Sequence, residues 1–495
     1  MAFFKGWVNQ QPTGGLPHIF EDDDVYPVHV LDDTKTFRGI LITWTICFND
    51  ALDADKLRSS LARLLELGDW RKIGGRLRLK ENGALEIHVP PSFTAQRPAF
   101  SYSHELINTA VEDHAVAKDL PKSDGSVSMW PGPDAFADFA ARPDAPTTLE
   151  DLLSGDVPQI SVHITSFTNA TLVALSWPHT MMDVMGQHAF LDAWSLVLAG
   201  RESEVPPVLG AREDTLCALV DAPAQRTEEL NLKSKQLKGL SMLKFGARMA
   251  WKMLTGPTPE TRTICLPKET MTKLRLQAQT DLAELSHGGE APFVSDGDLL
   301  AAWTIRAVAT SLADSRPITA LHAMNVRFRL PLLVNAQGVY LQNMLVPGFT
   351  FVSSDVARGP MGPIALINRQ SLMEQATEAQ VLASLREQRV SGDPSRLLYG
   401  DADAVLIPFT DWTKAKFFDT ANFSPAVLHA GDISQTRRNS PGTPVFHHAS
   451  SRRPTQGAGL MVVVLGKDQK DNYWLTLTLS PLAWLQIGRS LEELE

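Results

Sequence analysis

The sequence predicts an α/β protein of two domains, and three observations carry that prediction. The chain has 495 residues, whereas a single hydrophobic core stops growing at roughly 250–300 residues. Both halves mix short apolar runs that read as strands with apolar residues at helical spacing, which gives mixed sheets with flanking helices. Between the halves lies a stretch without strong strand patterns that holds Pro206, Pro207, Pro223, Pro257 and Pro259. The expected division is therefore residues 1–205, a crossover over 206–260, and a second domain over 261–495.

In the first half, residues 40–47 read as a strand. Asp53 then opens a helix whose stripe is Leu57, Leu61, Leu64 and Leu65, the spacing of one helical face. Gly68 ends it, Gly74 and Gly75 are expected to allow a tight bend, and Asn82-Gly83 reads as a hairpin turn before residues 85–89. Residues 124–148, rich in Pro, Gly, Asp and Ala, read as loop. Two strands, 159–167 and 171–177, flank the turn Thr168-Asn169-Ala170. Pro178 stops the second strand, His179 follows directly, and residues 183–198 carry Met185, Phe190, Trp194 and Leu198 at helical spacing.

The crossover contains an amphipathic, basic segment at 230–254, where Lys233, Lys235, Lys238, Lys244, Arg248 and Lys252 interleave with Leu, Met, Phe and Trp. Such a segment fits a membrane-surface helix or a helix docked on the domains with its lysines solvated; the docked helix is the expectation. The second half restarts with a strand at 262–266 and a helix from Lys268. Ser295, with Asp298 three residues later, is a capping pair for a helix carrying Leu299, Leu300, Trp303 and Val308. Strands are expected at 320–327, 344–352 and 405–409, and a hairpin at 460–465 and 473–479.

Bulk properties limit the function. A net charge of −10 argues against nucleic acid as the main partner, because phosphate backbones require a basic face. A small anionic ligand needs only a local cluster of cations. Cys47, Cys217 and Cys265 show no metal spacing, and a sparse, odd count fits a reducing compartment. The N-terminus has no long apolar core of a signal peptide, and no apolar run reaches the ~18 residues of a membrane span. A cytoplasmic monomer with no transmembrane segment is expected.

The chemistry centres on His179-Thr180-Met181-Met182-Asp183. An imidazole placed where a strand ends can face a cleft while a rigid element holds its backbone. Acyl transfer to an alcohol needs a group that takes the hydroxyl proton, and an imidazole with an unperturbed pKa of about 6.5 suits this task. Asp183 has two available roles: orienting the imidazole as in a triad, or turning away to pair with a distant Arg. Taken alone the His-x-x-x-Asp pattern is weak, and the competing reading is a core histidine satisfied by backbone groups. The hairpin, the strand-stopping Pro178 and Gly186, which opens space beyond Asp183, favour a site. Ser176 and Trp177 precede the base and are candidates to line a passage, although Trp177 fits a core position as well.

These residues resemble the BAHD acyltransferases, especially their fungal branch, which includes trichothecene acetyltransferase-like enzymes. The similarity runs over nearly the whole chain. His179 to Asp183 matches the family's catalytic segment in place. Gly74-Gly75-Arg76-Leu77 resembles its Ala-Gly-Arg-Leu segment, and Ser295 to Arg306 its second-domain helix with a central Trp. Asn325-Val326-Arg327, followed by Tyr340-Leu341-Gln342-Asn343, is similar to the Val-Arg and Tyr-Phe-Gly-Asn pair. Residues 412–425 align with the segment ending in Asp-Phe-Gly-Trp-Gly. Two departures stand out: Val184 replaces the usual Gly, and Asn422-Phe423-Ser424 stands where Asp-Phe-Gly would be, with no Trp following.

The resemblance implies two chloramphenicol acetyltransferase-like domains with a tunnel between them. It implies acyl-CoA, most simply acetyl-CoA, as co-substrate, a small secondary metabolite as acceptor, His179 as general base and no permanently bound cofactor or metal. It assigns Asp183 to a bracing role with Arg327 as partner, and Asn343, Asn422 and Phe423 to structural motifs. Arg437, Arg438, Arg452 and Arg453 flank a loop and are the candidates to meet CoA phosphates, against the plain reading of solvated loop arginines. His447-His448 reads as a loop or surface feature, and Lys414 and Lys416 as alternating residues on a strand edge. Alternatives within the same fold are cyclisation of a bound polyketide-like substrate and transfer from a carrier-protein thioester. Enzymes of the latter kind usually show two adjacent histidines, whereas Pro178 precedes His179 here.

Overall fold

The computed structural model describes residues 20–222, 228–285, 291–392, 397–435, 437–452 and 459–494. Two mixed sheets, each with its own apolar core, divide the molecule. The first has five strands in the order Phe446–Ser451, Leu41–Phe48, Thr171–Pro178, Ser161–Ser166, Ser101–Leu106. The second has seven, in the order Leu345–Val352, Ile318–Asn325, Val405–Asp411, Met461–Lys467, Tyr473–Leu479, Glu260–Leu266, Ser128–Pro131.

Local sequence explains most elements. Asp53 caps helix Ala54–Leu64 by accepting from the Lys56 amide, and Leu57, Leu61 and Leu64 of its stripe are fully buried. Ser295 and Asp298 form the expected reciprocal capping box of helix Asp296–Ser311. Helix Val184–Leu198 packs across Ala54–Leu64 and brings Phe190 and Trp194 into the first core. The strand Thr171–Pro178 is buried along its whole length, consistent with its central place in the sheet. It ends in register with Leu41, so that the chain leaves the sheet at His179.

Two strands cross between the halves. Phe446–Ser451 comes from the second half of the chain yet pairs antiparallel with Leu41–Phe48 in the first sheet. Ser128–Pro131 makes the reverse crossing and pairs with Glu260–Leu266 at the edge of the second. The stretch 124–148, expected as loop, thus contains a strand and the short helix Pro133–Phe139. Strand exchange ties the sheets together on either side of a shared cleft.

Gly74 and Gly75 serve close packing rather than a positive-φ bend. A Cβ on Gly75 would lie 2.2 Å from Ile87 Cγ2, and one on Gly74 2.7 Å from the Phe93 ring. The adjoining Arg76 is fully buried and donates to the carbonyls of Gly74 and Pro98, both at 2.8 Å. Helix Gly239–Thr255 in the crossover is docked far less than expected: Phe245 is its one buried residue.

Candidate active site

The end of strand Thr171–Pro178 positions His179. Its amide donates to the Ile40 carbonyl at 2.9 Å, which continues the strand pairing by one residue. The imidazole stacks on Phe37 with ring centroids 4.4 Å apart and planes at 13°. Nδ1 is buried and has no hydrogen-bond partner among the described residues. Burial pushes the pKa of His179 below its ordinary 6.5, against the pull of its own backbone carbonyl, the Asp183 charge and the Asn343 side chain. The ring is therefore neutral at neutral pH, the state a proton acceptor needs.

Asp183 turns away from the imidazole. Its Oδ1 accepts from the amides of Met185 and Gly186, both at 3.0 Å, so that the carboxylate caps helix Val184–Leu198. Its Oδ2 accepts from Arg327 Nη1 at 2.7 Å and from the Met344 amide at 2.9 Å. No hydrogen bond joins it to His179 among the described residues. A carboxylate at a helix N-terminus is favoured by the exposed amides and the helix dipole, and here it also meets a buried guanidinium.

Arg327 and Asn343 complete the frame from the second half of the chain. Arg327 Nη2 donates to the carbonyls of Tyr340 and Gln342 at 2.9 and 2.6 Å. Asn343 Nδ2 donates to the His179 carbonyl at 2.8 Å and to Asp32 Oδ1 at 2.8 Å, and the Asn343 amide meets the same oxygen at 2.7 Å. Residues 340–344 are thus tied to both ends of the His179–Asp183 turn. Gly186 permits that approach, since a Cβ there would lie 2.3 Å from the Leu341 carbonyl oxygen.

His179 lines a cavity of about 2510 Å³, walled by Phe37, Trp177 and Met182 from the first half and by Leu321, His322 and Phe409 from the second. Pockets for a single small molecule measure roughly 300–1,000 Å³, so this one has room for two substrates at once. Burial pushes His322, stacked on Phe409 at 4.9 Å, down to about 4. Trp177 Nε1 and Thr413 Oγ1 are buried donors in the wall with no partner among the described residues. The wall also carries Arg329 and Lys414. Lys414 Nζ sits 4.2 Å over the Phe328 ring, and its pKa is lowered by burial and then by the neighbouring Arg329 charge.

Comparison with known proteins places this geometry. No protein-family model matches the chain. It is 36% identical over 484 residues to the O-acetyltransferase PaAT-2 of Phomopsis amygdali, covering 95% of this chain and 98% of that protein. It is 35% identical over 479 residues to the acetyltransferase pyiB of Pyricularia grisea, covering 96% and 95%. The chain belongs to the fungal BAHD-type acyltransferases. Among solved structures, TRI101 of F. sporotrichioides complexed with coenzyme A and T-2 has the same fold, with a TM-score of 0.64 at 13% identity over 94% of this chain and 97% of that one. Vinorine synthase follows at a TM-score of 0.57, 14% identity, and coverage of 97% and 95%. The expected pair of chloramphenicol acetyltransferase-like domains is the architecture observed.

The remaining predicted residues of this acyltransferase fall in several places. Trp177 is buried on the cavity wall, whereas Ser176, on the other face of the strand, bonds Thr43 Oγ1 at 2.8 Å. Phe423 is fully buried and stacks on Phe48 at 5.2 Å, while Asn422 Oδ1 accepts from the amide and hydroxyl of Ser424. Arg437 is committed to Asp50 through two bonds of 2.7 Å. Arg438 is exposed, Arg452 is half-buried and does not itself line the cavity although Ser451 before it does, and Arg453 lies outside the described residues.

Two expectations are corrected. His447 and His448 are no surface feature: they lie in the buried first half of Phe446–Ser451, at 0% and 3% exposure, because that strand joins the first sheet as its edge and is covered there. Lys414 and Lys416 do not alternate on a strand edge. The chain makes a tight turn over Thr413–Ala415 and Lys416 adopts φ 46°, which aims the two side chains independently and leaves Lys414 on the cavity. Sequence reading missed Asp32, Phe37 and Arg329. Arg329 lay two residues beyond Arg327 and was open to notice as a second cation on the same turn; a lone Asp and a lone Phe carried no signal.

Proposed function

We propose that this acyltransferase moves an acetyl group from acetyl-CoA to a hydroxyl of a small secondary metabolite, by direct transfer in a ternary complex with His179 as general base. The observation that supports it most is a neutral, buried imidazole opening on a cavity large enough for both substrates. The acetyltransferase relatives and the neighbour crystallised with coenzyme A and T-2 agree with this substrate pair.

In this reading His179 takes the acceptor's proton as its oxygen attacks the thioester carbonyl. The tetrahedral oxyanion then collapses, the carbon–sulfur bond breaks, and the imidazolium returns the proton to the departing thiolate. A positioned base contributes roughly 10²–10⁴ in rate, and holding both reactants together contributes further. The oxyanion needs a donor, and Trp177 Nε1 and Thr413 Oγ1 are two of the unpaired donors that the described residues place in the wall. Asp183 acts through Arg327 and the helix cap to fix the turn that carries the base. Arg329 and Lys414 supply the positive charge for the CoA phosphates, since Arg437 is engaged by Asp50.

The test follows thiol release from acetyl-CoA with a panel of alcohols, for the wild type and His179→Ala. Acceptor-dependent release that the substitution abolishes is the expected result. Conversion of an acceptor without consumption of acetyl-CoA overturns the reading in favour of a cyclisation.

A further inference from the structure

Residues 230–259 hold Lys233, Lys235, Lys238, Lys244, Arg248 and Lys252 and no Asp or Glu, in a chain of net charge −10. Helix Gly239–Thr255 occupies most of that stretch and is 17 residues long. At 3.6 residues per turn, Leu240, Leu243, Ala247, Trp251 and Leu254 fall within an arc of about 80°. A helix carried on a globular core turns such a stripe inward. Here it points to solvent: Leu240 is 84% exposed, Leu243 66%, Trp251 69% and Leu254 74%. The helix is held from another side, by buried Phe245 and by Lys244 and Arg248, which pair with Asp403 at 2.6 and 2.8 Å.

We propose that this helix docks the enzyme on an anionic lipid bilayer, lying in the plane of the interface with Leu240, Leu243, Trp251 and Leu254 inserted below the headgroups. An exposed apolar stripe flanked by an excess of cations binds such a surface: Lys244 and Arg248 share the single carboxylate of Asp403, Lys233 meets Glu229, and Lys235 and Lys238 form no ion pair among the described residues. An indole suits the boundary between headgroup and acyl chain. Spanning is not involved, since no described helix is long and apolar enough to cross a membrane. Charge also argues against a second copy as the occupant: a two-fold contact would set this net-positive stretch against itself. Met249 and Met253, on the opposite face of the same helix, line the active-site cavity, so the docked helix would stand between the bilayer and that part of the cavity.

Flotation of the full chain with phosphatidylcholine vesicles, with and without phosphatidylserine, tests this. The protein is expected to float with the phosphatidylserine vesicles, to float much less with phosphatidylcholine alone, and to dissociate as salt is raised. The Leu243→Glu/Leu254→Glu variant, altered only at exposed positions, is expected to lose flotation roughly tenfold or more, a difference of one logarithmic unit in affinity, with an unchanged melting temperature. Quenching of Trp251 by brominated lipid, read as the difference from Trp251→Phe, should confirm the depth. A wild type that stays with the soluble fraction, or a double variant that floats as well as wild type, overturns the proposal. So does a dimer in solution that the double variant dissociates, which would make the stripe a self-association face.

Discussion

Arg327 reaches Asp183 from the other half of the chain, its Nη1 2.7 Å from Oδ2, while its Nη2 holds the Tyr340 and Gln342 carbonyls. The aspartate's second oxygen caps the helix that follows His179. Both side chains are largely out of water, at 11% and 3% exposure. Removing one charge from such a pair leaves the other buried and uncompensated, which costs about 3–5 kcal/mol. Asp183→Asn is accordingly expected to lower the melting temperature and activity together, and to move the acid limb of the remaining activity to lower pH, because the Asp183 charge that raises the His179 pKa is gone. Lost activity at full stability would instead show a triad role; thermal melting beside the activity assay separates them.

His179 gives a second prediction. Burial holds its pKa below 6.5, and the neutral form is the one that accepts a proton. The acid limb of kcat/KM should therefore fall at a pH below 6.5, and activity should be flat through neutrality until another group intervenes. His179→Ala should lower kcat by roughly 10²–10⁴ while leaving the melting temperature near that of wild type. An acid limb centred above 6.5 would exclude this imidazole as the group that controls it.

The parts of this site that were legible in the sequence are those written in neighbouring residues. Pro178 ending an apolar strand, Asp183 heading a helix and Ser295 heading another are all local signals, and each element begins or ends where its cap dictates. Pairings between distant segments were not legible. The strand Phe446–Ser451 was hidden because its polar His447-His448 suggests a surface, yet it enters the first sheet beside Trp44. Lys414 and Lys416 alternate as a strand would, but a left-handed residue breaks the period. The arginines flanking the 437–453 loop looked available for phosphate, and Asp50, far off in sequence, had already claimed Arg437.

That reassignment leads to a third prediction. Lys414 and Arg329 share the cavity wall, with no carboxylate in an ion pair with either among the described residues. A charge-assisted hydrogen bond to phosphate is worth about 1.5–3 kcal/mol. Lys414→Ala should therefore raise KM for acetyl-CoA roughly tenfold or more, with kcat little changed. An unchanged KM for acetyl-CoA would remove Lys414 from the donor site.

The interior histidines bear on acid stability. Trp44 Nε1 donates to His447 Nδ1 at 3.1 Å, which requires that nitrogen to be unprotonated. Burial, then the neighbouring His448, pushes His447 down to about 3. In the unfolded chain the same ring takes up a proton near 6.5. Between those values the unfolded state binds more protons, so stability rises with pH across this window and is lost as pH falls below about 6.5. At about pH 5 one such histidine accounts for about 2 kcal/mol. His447→Asn keeps an acceptor for the indole and removes the titration. Its melting temperature should fall less than that of wild type between about pH 7 and about pH 5, even if it starts lower from the volume lost. Parallel declines in the two proteins would place the origin of acid sensitivity in other groups.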